Sequence, residues 1–134
     1  MKMVSFETTK RTQVIDITKE LIEQARIWGK SGIINVYCPH TTAGLTIQEN
    51  YDPSVKDDIL NTLERLVPQN FAYRHTENNA DAHIKSVLCG VSITIPVSNG
   101  HLLLGRWQGV LLLELDGPRK RQVYLTFIEG EENK

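Results

Sequence analysis

The chain has 134 residues, 40% of them hydrophobic and 23% charged, and a formal net charge of −1. That length suits one domain, here taken as residues 1–134, around one core, and the composition excludes a disordered chain. Balanced charge argues against a general nucleic-acid partner, which needs clustered cations to displace counterions. No apolar run approaches the roughly 20 residues of a spanning helix, so no membrane partner is expected. The opening MKMVSFETTK lacks the apolar stretch of a secretory signal, which makes the cytoplasm the expected location.

Met3–Thr9 and Thr12–Ile17 read as strands, the second because Val14 and Asp16 alternate with Ile15 and Ile17. Leu21, Ala25 and Trp28 recur at helical spacing, which predicts a helix over Thr18–Trp28 with Thr18 as N-cap and Gly29 as stop. Gly32–Cys38 and Leu45–Glu49 read as strands around the polar loop Pro39–Gly44. Asp52-Pro53-Ser54 opens a second helix, since proline suits a first turn whose N–H has no helical partner. Ser54 and Asp57 form a loose capping box, Val55, Ile59, Leu63 and Leu66 share one face, and Pro68 ends the helix.

Gln69–Asp81 is a long polar loop of the kind that often carries function. A short helix over Asn79–Leu88 follows, stopped by Gly90. The rest reads as strand: Val91–Val97, His101–Leu104, Gly109–Leu115 and Gln122–Ile128, with turns at Asn99-Gly100 and Asp116-Gly117-Pro118. The Glu129–Lys134 tail is expected to fray. Together these elements predict an α+β fold, a mainly antiparallel β-sandwich with two or three flanking helices. Leu102–Leu104 and Leu111–Leu115 are nearly continuous apolar runs, which implies burial on both faces and, in so short a chain, contact with another subunit.

Polar residues gather in two stretches, His40–Asp52 and Arg74–His83, which hold three of the four histidines. Histidine ligates metals, moves protons and, when charged, binds phosphate. His75 and His83 lack the spacing of a helical metal pair. His83 reads as an inward helix residue, which either bonds a backbone carbonyl at the core edge or joins His75 and His40 in one pocket. Glu49 closes an apolar strand, where a carboxylate orients an imidazole, holds a cation or simply faces water. Gln108 interrupts a strand pattern, and Trp107 is either core or a stacking platform. Arg119-Lys120-Arg121 is either a solvated surface run or a phosphate clamp. Cys38 and Cys89 end apolar stretches and read as buried thiols. No Walker loop, GxGxxG, HExxH or GxSxG occurs. The inventory suits a phosphorylated ligand, a divalent cation, or both.

Four segments in order resemble the YjbQ family of secondary thiamine-phosphate synthase-like proteins. They are His40 through Pro53, then His75 with Asn79 through His83, then Ser92 through Gly100 with Gly105 and Trp107-Gln108, and last Asp116-Gly117-Pro118-Arg119 with Arg121. Arg106 departs from the family pattern, which places a small hydroxyl residue before Trp107-Gln108. The resemblance implies a jelly-roll-like sandwich assembled as a homotrimer, with sites near subunit boundaries. It implies that His40, His75 and His83 gather around a metal or anion site; with Glu49, expected to hold a cation or orient a histidine, they are the catalytic candidates. Thr41, Asn50, Gln108, Arg119 and Arg121 would bind a phosphorylated small-molecule substrate. The cation would be Mg2+ arriving with substrate or a bound transition metal. The implied activity joins a hydroxymethylpyrimidine diphosphate to a thiazole phosphate and releases diphosphate. Two other readings use the same residues: a metal- or anion-binding trimer without turnover, and a metal-dependent hydrolase with an open position on three histidines.

Overall fold

In the computed structural model, which describes residues 1–131, the strands form two antiparallel sheets. The strands are β1 (Lys2–Glu7), β2 (Gln13–Asp16), β3 (Gly32–Tyr37), β4 (Ala43–Glu49), β5 (Ser92–Ser98), β6 (His101–Leu102), β7 (Gln108–Glu114) and β8 (Lys120–Glu129). One sheet has five strands in the order β1-β8-β3-β5-β6, and the other has three in the order β2-β7-β4. The helices are α1 (Thr18–Trp28), α2 (Pro53–Leu66) and α3 (Ala80–Cys89). Alternation decides which residues face inward. Ile34, Val36, Ile95, Val97, Val123 and Leu125 of the large sheet meet Leu45, Val110 and Leu112 of the small one in a shared core. The chain is therefore a single α+β domain with three helices. Of the frayed tail predicted over 129–134, Glu129 closes β8, and residues from 132 onward lie outside the described ones.

The apolar run of β7 does not need a second subunit. β7 is the central strand of the small sheet. Its Val110 and Leu112 face the core between the sheets. Leu113, on the opposite face, packs with Leu115, Ala82, Ile59, Leu60 and Cys89 beneath α2 and α3. Both faces of this strand are covered by the chain itself, so the Leu111–Leu115 run carries no argument for subunit contact, whereas Leu103 of the Leu102–Leu104 run stays 53% exposed.

Helix ends follow local chemistry, with two differences from the sequence reading. Asp16, not Thr18, serves the start of α1: its Oδ1 accepts from Thr18 N–H at 2.9 Å and from the Thr18 hydroxyl at 2.5 Å. Thr18 Oγ1 instead accepts from Val110 N–H at 2.9 Å, pinning α1 to β7. Asp52, not Ser54, caps α2, accepting from Ser54 N–H at 2.9 Å. Gly29 ends α1 at φ 69°, a left-handed conformation that glycine adopts without strain. No helix among the described residues is long and apolar enough to cross a membrane.

The helix α3 is turned inside out. Its buried residues include Asp81 and Lys85, while Ile84, Val87 and Leu88 are exposed. The inward charges are paired: Lys85 Nζ lies 2.7 Å from Asp81 Oδ2 and 2.8 Å from Glu64 Oε1 of α2. Arg11 closes the set with two bonds to Asp81, at 2.8 and 3.2 Å. Burial alone would raise the Asp81 carboxyl, but the Arg11 and Lys85 hydrogen bonds outweigh it and hold the group below the usual range.

Candidate functional site

The main cleft lies where α3 rests on β4 beside the segment linking β3 to β4. A Cβ on Gly44 would stand 2.8 Å from Cys89 Cβ and 3.1 Å from Gly90 O, so only glycine lets the helix end come this close. Ser86 Oγ donates to Ala43 O at 2.7 Å, and Leu45 N–H to Gly90 O at 2.9 Å. Between these anchors opens a cleft of about 640 Å³, lined by Tyr37, Cys38, His40, Thr41, His83 and Val87 among others. A second depression shares His83 and adds Tyr73, Arg74 and His75. His83 therefore stands on the wall between the two, at the shoulder of α3 and not on its buried face.

The two ring histidines meet edge to face, with His75 and His83 centroids 5.2 Å apart. The loop that brings His75 there is held by its own bonds. Tyr73 hydroxyl donates to Pro68 O at 2.6 Å, and Gln69 Nε2 to Asn78 O at 3.1 Å. His40 lines the same cleft, but one of its nitrogens is already engaged: Gln122 N–H donates to Nε2 at 2.9 Å. A backbone N–H can only donate, so Nε2 is unprotonated and the imidazole proton sits on Nδ1. Burial, and then the charge of Arg121, push the His40 pKa below its ordinary value, so the ring is neutral at pH 7. Burial likewise pushes the Cys38 thiol up, which leaves it a neutral lining residue and not a thiolate nucleophile.

Glu49, Asn50 and Gln108 lie elsewhere. His40 and Thr41 precede β4 and Glu49 ends it, so the length of the strand, about 20 Å, separates them. At that far end Asn50 Nδ2 donates to Asp16 Oδ2 at 2.7 Å, and Asn50 N–H to Trp107 O at 2.7 Å. Gly109 makes room for the Asn50 side chain, which a Cβ there would meet at 2.6 Å. Gln108 Oε1 accepts from Gly105 N–H at 2.7 Å and so closes its own turn. Tyr51, Arg106 and Trp107 frame a separate pocket, with the Arg106 guanidinium 5.7 Å from the indole centre. The expected single pocket is thus two groups of residues at opposite ends of β4.

The two arginines are also occupied. Arg119 is half exposed and folds back on Asp116, with Nε 2.8 Å from the backbone oxygen and Nη2 3.1 Å from Oδ2. Asn79 Nδ2 holds the same carboxylate at 2.7 Å. Arg121 points between the sheets and is 2% exposed. It bonds both oxygens of buried Glu114, and its Nη2 donates to Thr42 O at 2.8 Å and Thr42 Oγ1 at 2.9 Å. Thr8 hydroxyl adds a bond to Glu114 at 2.7 Å. Arg121 is a fastener between the sheets, which corrects its assignment as a substrate arm. The sequence reading missed this role, and those of Glu114, Asp81 and Asp16. A glutamate breaking the Leu111–Leu115 run, and a lysine four residues after an aspartate, were the available signals.

The residues present do not fit a transition-metal centre of three histidines. Among the described residues no group of three or more His, Cys, Asp or Glu is placed to hold a metal. The Nε2 of His40 is taken, and His75 faces Glu77, whose Oε2 lies 3.7 Å from Nε2. What assembles is a pair of histidines, which also leaves the metal-dependent hydrolase without its centre.

Comparison with known proteins agrees with the sequence blocks and corrects the activity drawn from them. A family model described as UPF0047 protein YjbQ-like matches residues 2–130. A UPF0047 protein of Methanocaldococcus jannaschii is 50% identical over 125 residues, covering 91% of this chain and 89% of that protein. The UPF0047 protein YugU of Bacillus subtilis is 46% identical over 130 residues, covering 96% and 98%. A crystal structure of a YjbQ/UPF0047 protein from Clostridium acetobutylicum superposes with a TM-score of 0.93 at 44% identity, covering 96% of this chain and 100% of that one. A YbjQ-like protein from Sulfolobus solfataricus, described as of unknown function, gives a TM-score of 0.92 at 26% identity, covering 96% of each chain. These relatives bear the family name and no synthase name. The thiamine-phosphate synthase expectation is therefore withdrawn, in keeping with site residues that one chain leaves at two ends of a strand. The chain belongs to the YjbQ (UPF0047) family.

Proposed function

We propose that the cleft between α3 and the β3–β4 link binds a small phosphorylated molecule. The carrying observation is the His75–His83 pair: His83 lines both depressions, His75 lines the second, and among the described residues no carboxylate lines either. Their linings supply donors and cations: His83, His75, Arg74, the Thr41 hydroxyl and the Nδ1–H of His40. Such a set, facing no fixed anion within either lining, suits a phosphate group that accepts from all sides. Glu77 competes for His75 from outside the lining. Any divalent cation is expected as Mg2+ carried in on the ligand, because magnesium keeps waters and substrate phosphates as ligands.

Three further expectations belong to this reading. The homotrimer is kept, supported by Val87 at 82% and Leu88 at 60% exposure on the outer face of α3. A jelly-roll-like sandwich is our finer reading of two sheets sharing one core. A cytoplasmic setting accords with two free cysteines.

The test is calorimetric titration of the full chain with inorganic pyrophosphate, with and without Mg2+, against His83→Gln. One charge-assisted contact is worth about 1.5–3 kcal/mol, so the variant should bind about ten- to a hundredfold more weakly. A wild-type chain that ignores millimolar pyrophosphate, or a variant of equal affinity, overturns the proposal.

A further inference from the structure

The turn that joins β6 to β7 carries two residues the histidine cleft does not use, Arg106 and Trp107. It is clamped on both sides. Gln108 N–H donates to Gly105 O at 3.1 Å, and Gln108 Oε1 accepts from Gly105 N–H at 2.7 Å. Asn50 N–H donates to Trp107 O at 2.7 Å and ties the turn to the end of β4. The indole is nevertheless 48% exposed, and Tyr51, next to Asn50 in the chain, is 85% exposed. Of the two roles open to Trp107, core or stacking platform, this placement removes the core. A clamped turn cannot fold its ring inward, so apolar surface stays in water at a cost that a bound molecule would relieve.

Tyr51, Arg106 and Trp107 enclose about 240 Å³. The Tyr51 and Trp107 ring centroids lie 6.1 Å apart with planes inclined at 37°, which makes an open wedge and not a closed stack. The Arg106 guanidinium lies over the indole, within the range of a cation–π contact. That contact engages the charge of the guanidinium and leaves its fork of N–H donors available. Among the described residues no carboxylate pairs with the fork. Asp52, the acid beside Tyr51, caps α2 through Ser54 N–H at 2.9 Å, and Asp16 holds Asn50 Nδ2 at 2.7 Å.

We propose that the Tyr51–Arg106–Trp107 pocket is a second binding site, separate from the histidine cleft, and that it takes a planar aromatic monocarboxylate. Each part of that ligand answers to a part of the pocket. The wedge presents two aromatic surfaces to a third ring. A volume of about 240 Å³ falls below the roughly 300–1,000 Å³ of sites for larger organic ligands, which limits the ligand to one ring or a fused pair. One guanidinium fork matches one carboxylate through two parallel N–H···O bonds. A phosphate monoester would bring about −1.5 to −2 charges, and the single cation of this lining leaves the surplus against the negative faces of the rings. A cationic ligand is disfavoured because Arg106 already occupies the indole face.

The test is titration of the isotope-labelled full chain with naphthoate, followed by nuclear magnetic resonance at the two indole N–H signals, Trp28 and Trp107. Trp28 packs against Phe127 at 5.5 Å and serves as the internal control. The Trp107 signal should move saturably at or below millimolar naphthoate while the Trp28 signal stays. Arg106→Gln should weaken binding about tenfold, and uncharged naphthamide should bind the wild type about tenfold more weakly than naphthoate. Trp107→Leu, checked for folding by circular dichroism and titrated by calorimetry, should lose as much. A Trp107 signal that does not saturate, or naphthamide binding as tightly as naphthoate, overturns the proposal. So does full affinity in Arg106→Gln or in folded Trp107→Leu. Naphthyl phosphate binding as tightly as naphthoate overturns the carboxylate class. Displacement of naphthoate by pyrophosphate overturns the separate site, whereas a chain that ignores pyrophosphate and still binds naphthoate removes the cleft ligand alone.

Discussion

Replacing Arg121 by methionine separates a fastener from a ligand arm. Arg121 is 2% exposed and Glu114 fully buried, and the guanidinium is the cation that bonds that carboxylate. Methionine keeps much of the volume but leaves a buried carboxylate that, among the described residues, has only the Thr8 hydroxyl and Asp116 N–H as donors. Removing one partner of such a pair costs about 3–5 kcal/mol. A chain of 134 residues unfolds with an entropy of about 280 cal/mol/K, so the melting temperature should drop by about 10–18 °C. Burial alone would raise the Glu114 carboxyl, yet Arg121, Asp116 N–H and Thr8 together hold it below its ordinary 4.5. The stability it adds is thus complete above pH 4.5 and disappears as pH falls through the folded value. Wild type and variant should converge in that acid range. The double variant Glu114→Met, Arg121→Met should regain at least half the loss, since no charge is left stranded. Differential scanning calorimetry at pH 7 and at successively lower pH below 4.5 measures all of this. An Arg121→Met protein that melts within about 2 °C of wild type while losing pyrophosphate would refute the fastener and restore the arm.

Three other perturbations test separate parts of the structure. His40→Gln keeps an acceptor for Gln122 N–H but cannot ionise. Because the folded chain holds His40 below 6.5, the unfolded chain binds the extra proton first, and stability falls as pH drops below 6.5. Urea midpoints should therefore fall from pH 7 to pH 5 more in wild type than in the variant; parallel decline would remove His40 as the cause. Asp81→Ala strands Lys85, 1% exposed, and should destabilise by about 3–5 kcal/mol in chemical denaturation. A loss under 1 kcal/mol would show that Glu64 alone satisfies the lysine. Asn50→Asp sets a carboxylate 2.7 Å from that of Asp16 and should cost about 1–3 kcal/mol at pH 7. Its pyrophosphate affinity should stay unchanged, and a tenfold loss would join the two ends of β4 in one site.

Much of the fold was legible because local pattern carries it. Alternation along 91–97 and 122–128, Asn99-Gly100, and Pro53 at a first helical turn each marked an observed element within a few residues. Helix α3 was found at its position but turned wrongly. Its buried face carries Asp81 and Lys85, and a rule that puts apolar residues inside reads that face as solvent. Only Arg11 and Glu64, distant along the chain, make burial of those charges affordable. The β7 run was read as needing another subunit because sequence cannot show that α2, α3 and the large sheet cover both its faces.

The sequence by itself determined the class of fold, the placing of most strands and helices, the family, and which residues bear chemistry. Those depend on spacing within a dozen residues, and on side-chain type. Tertiary structure alone decided which of those residues meet. It set His75 against His83 and sent Arg121 inward to Glu114. It also left Asn50 and Gln108 a strand length away from His40. The reason is geometric: a strand advances about 3.3 Å per residue, so neighbours in a motif separate quickly, while pairing and packing join residues a hundred positions apart.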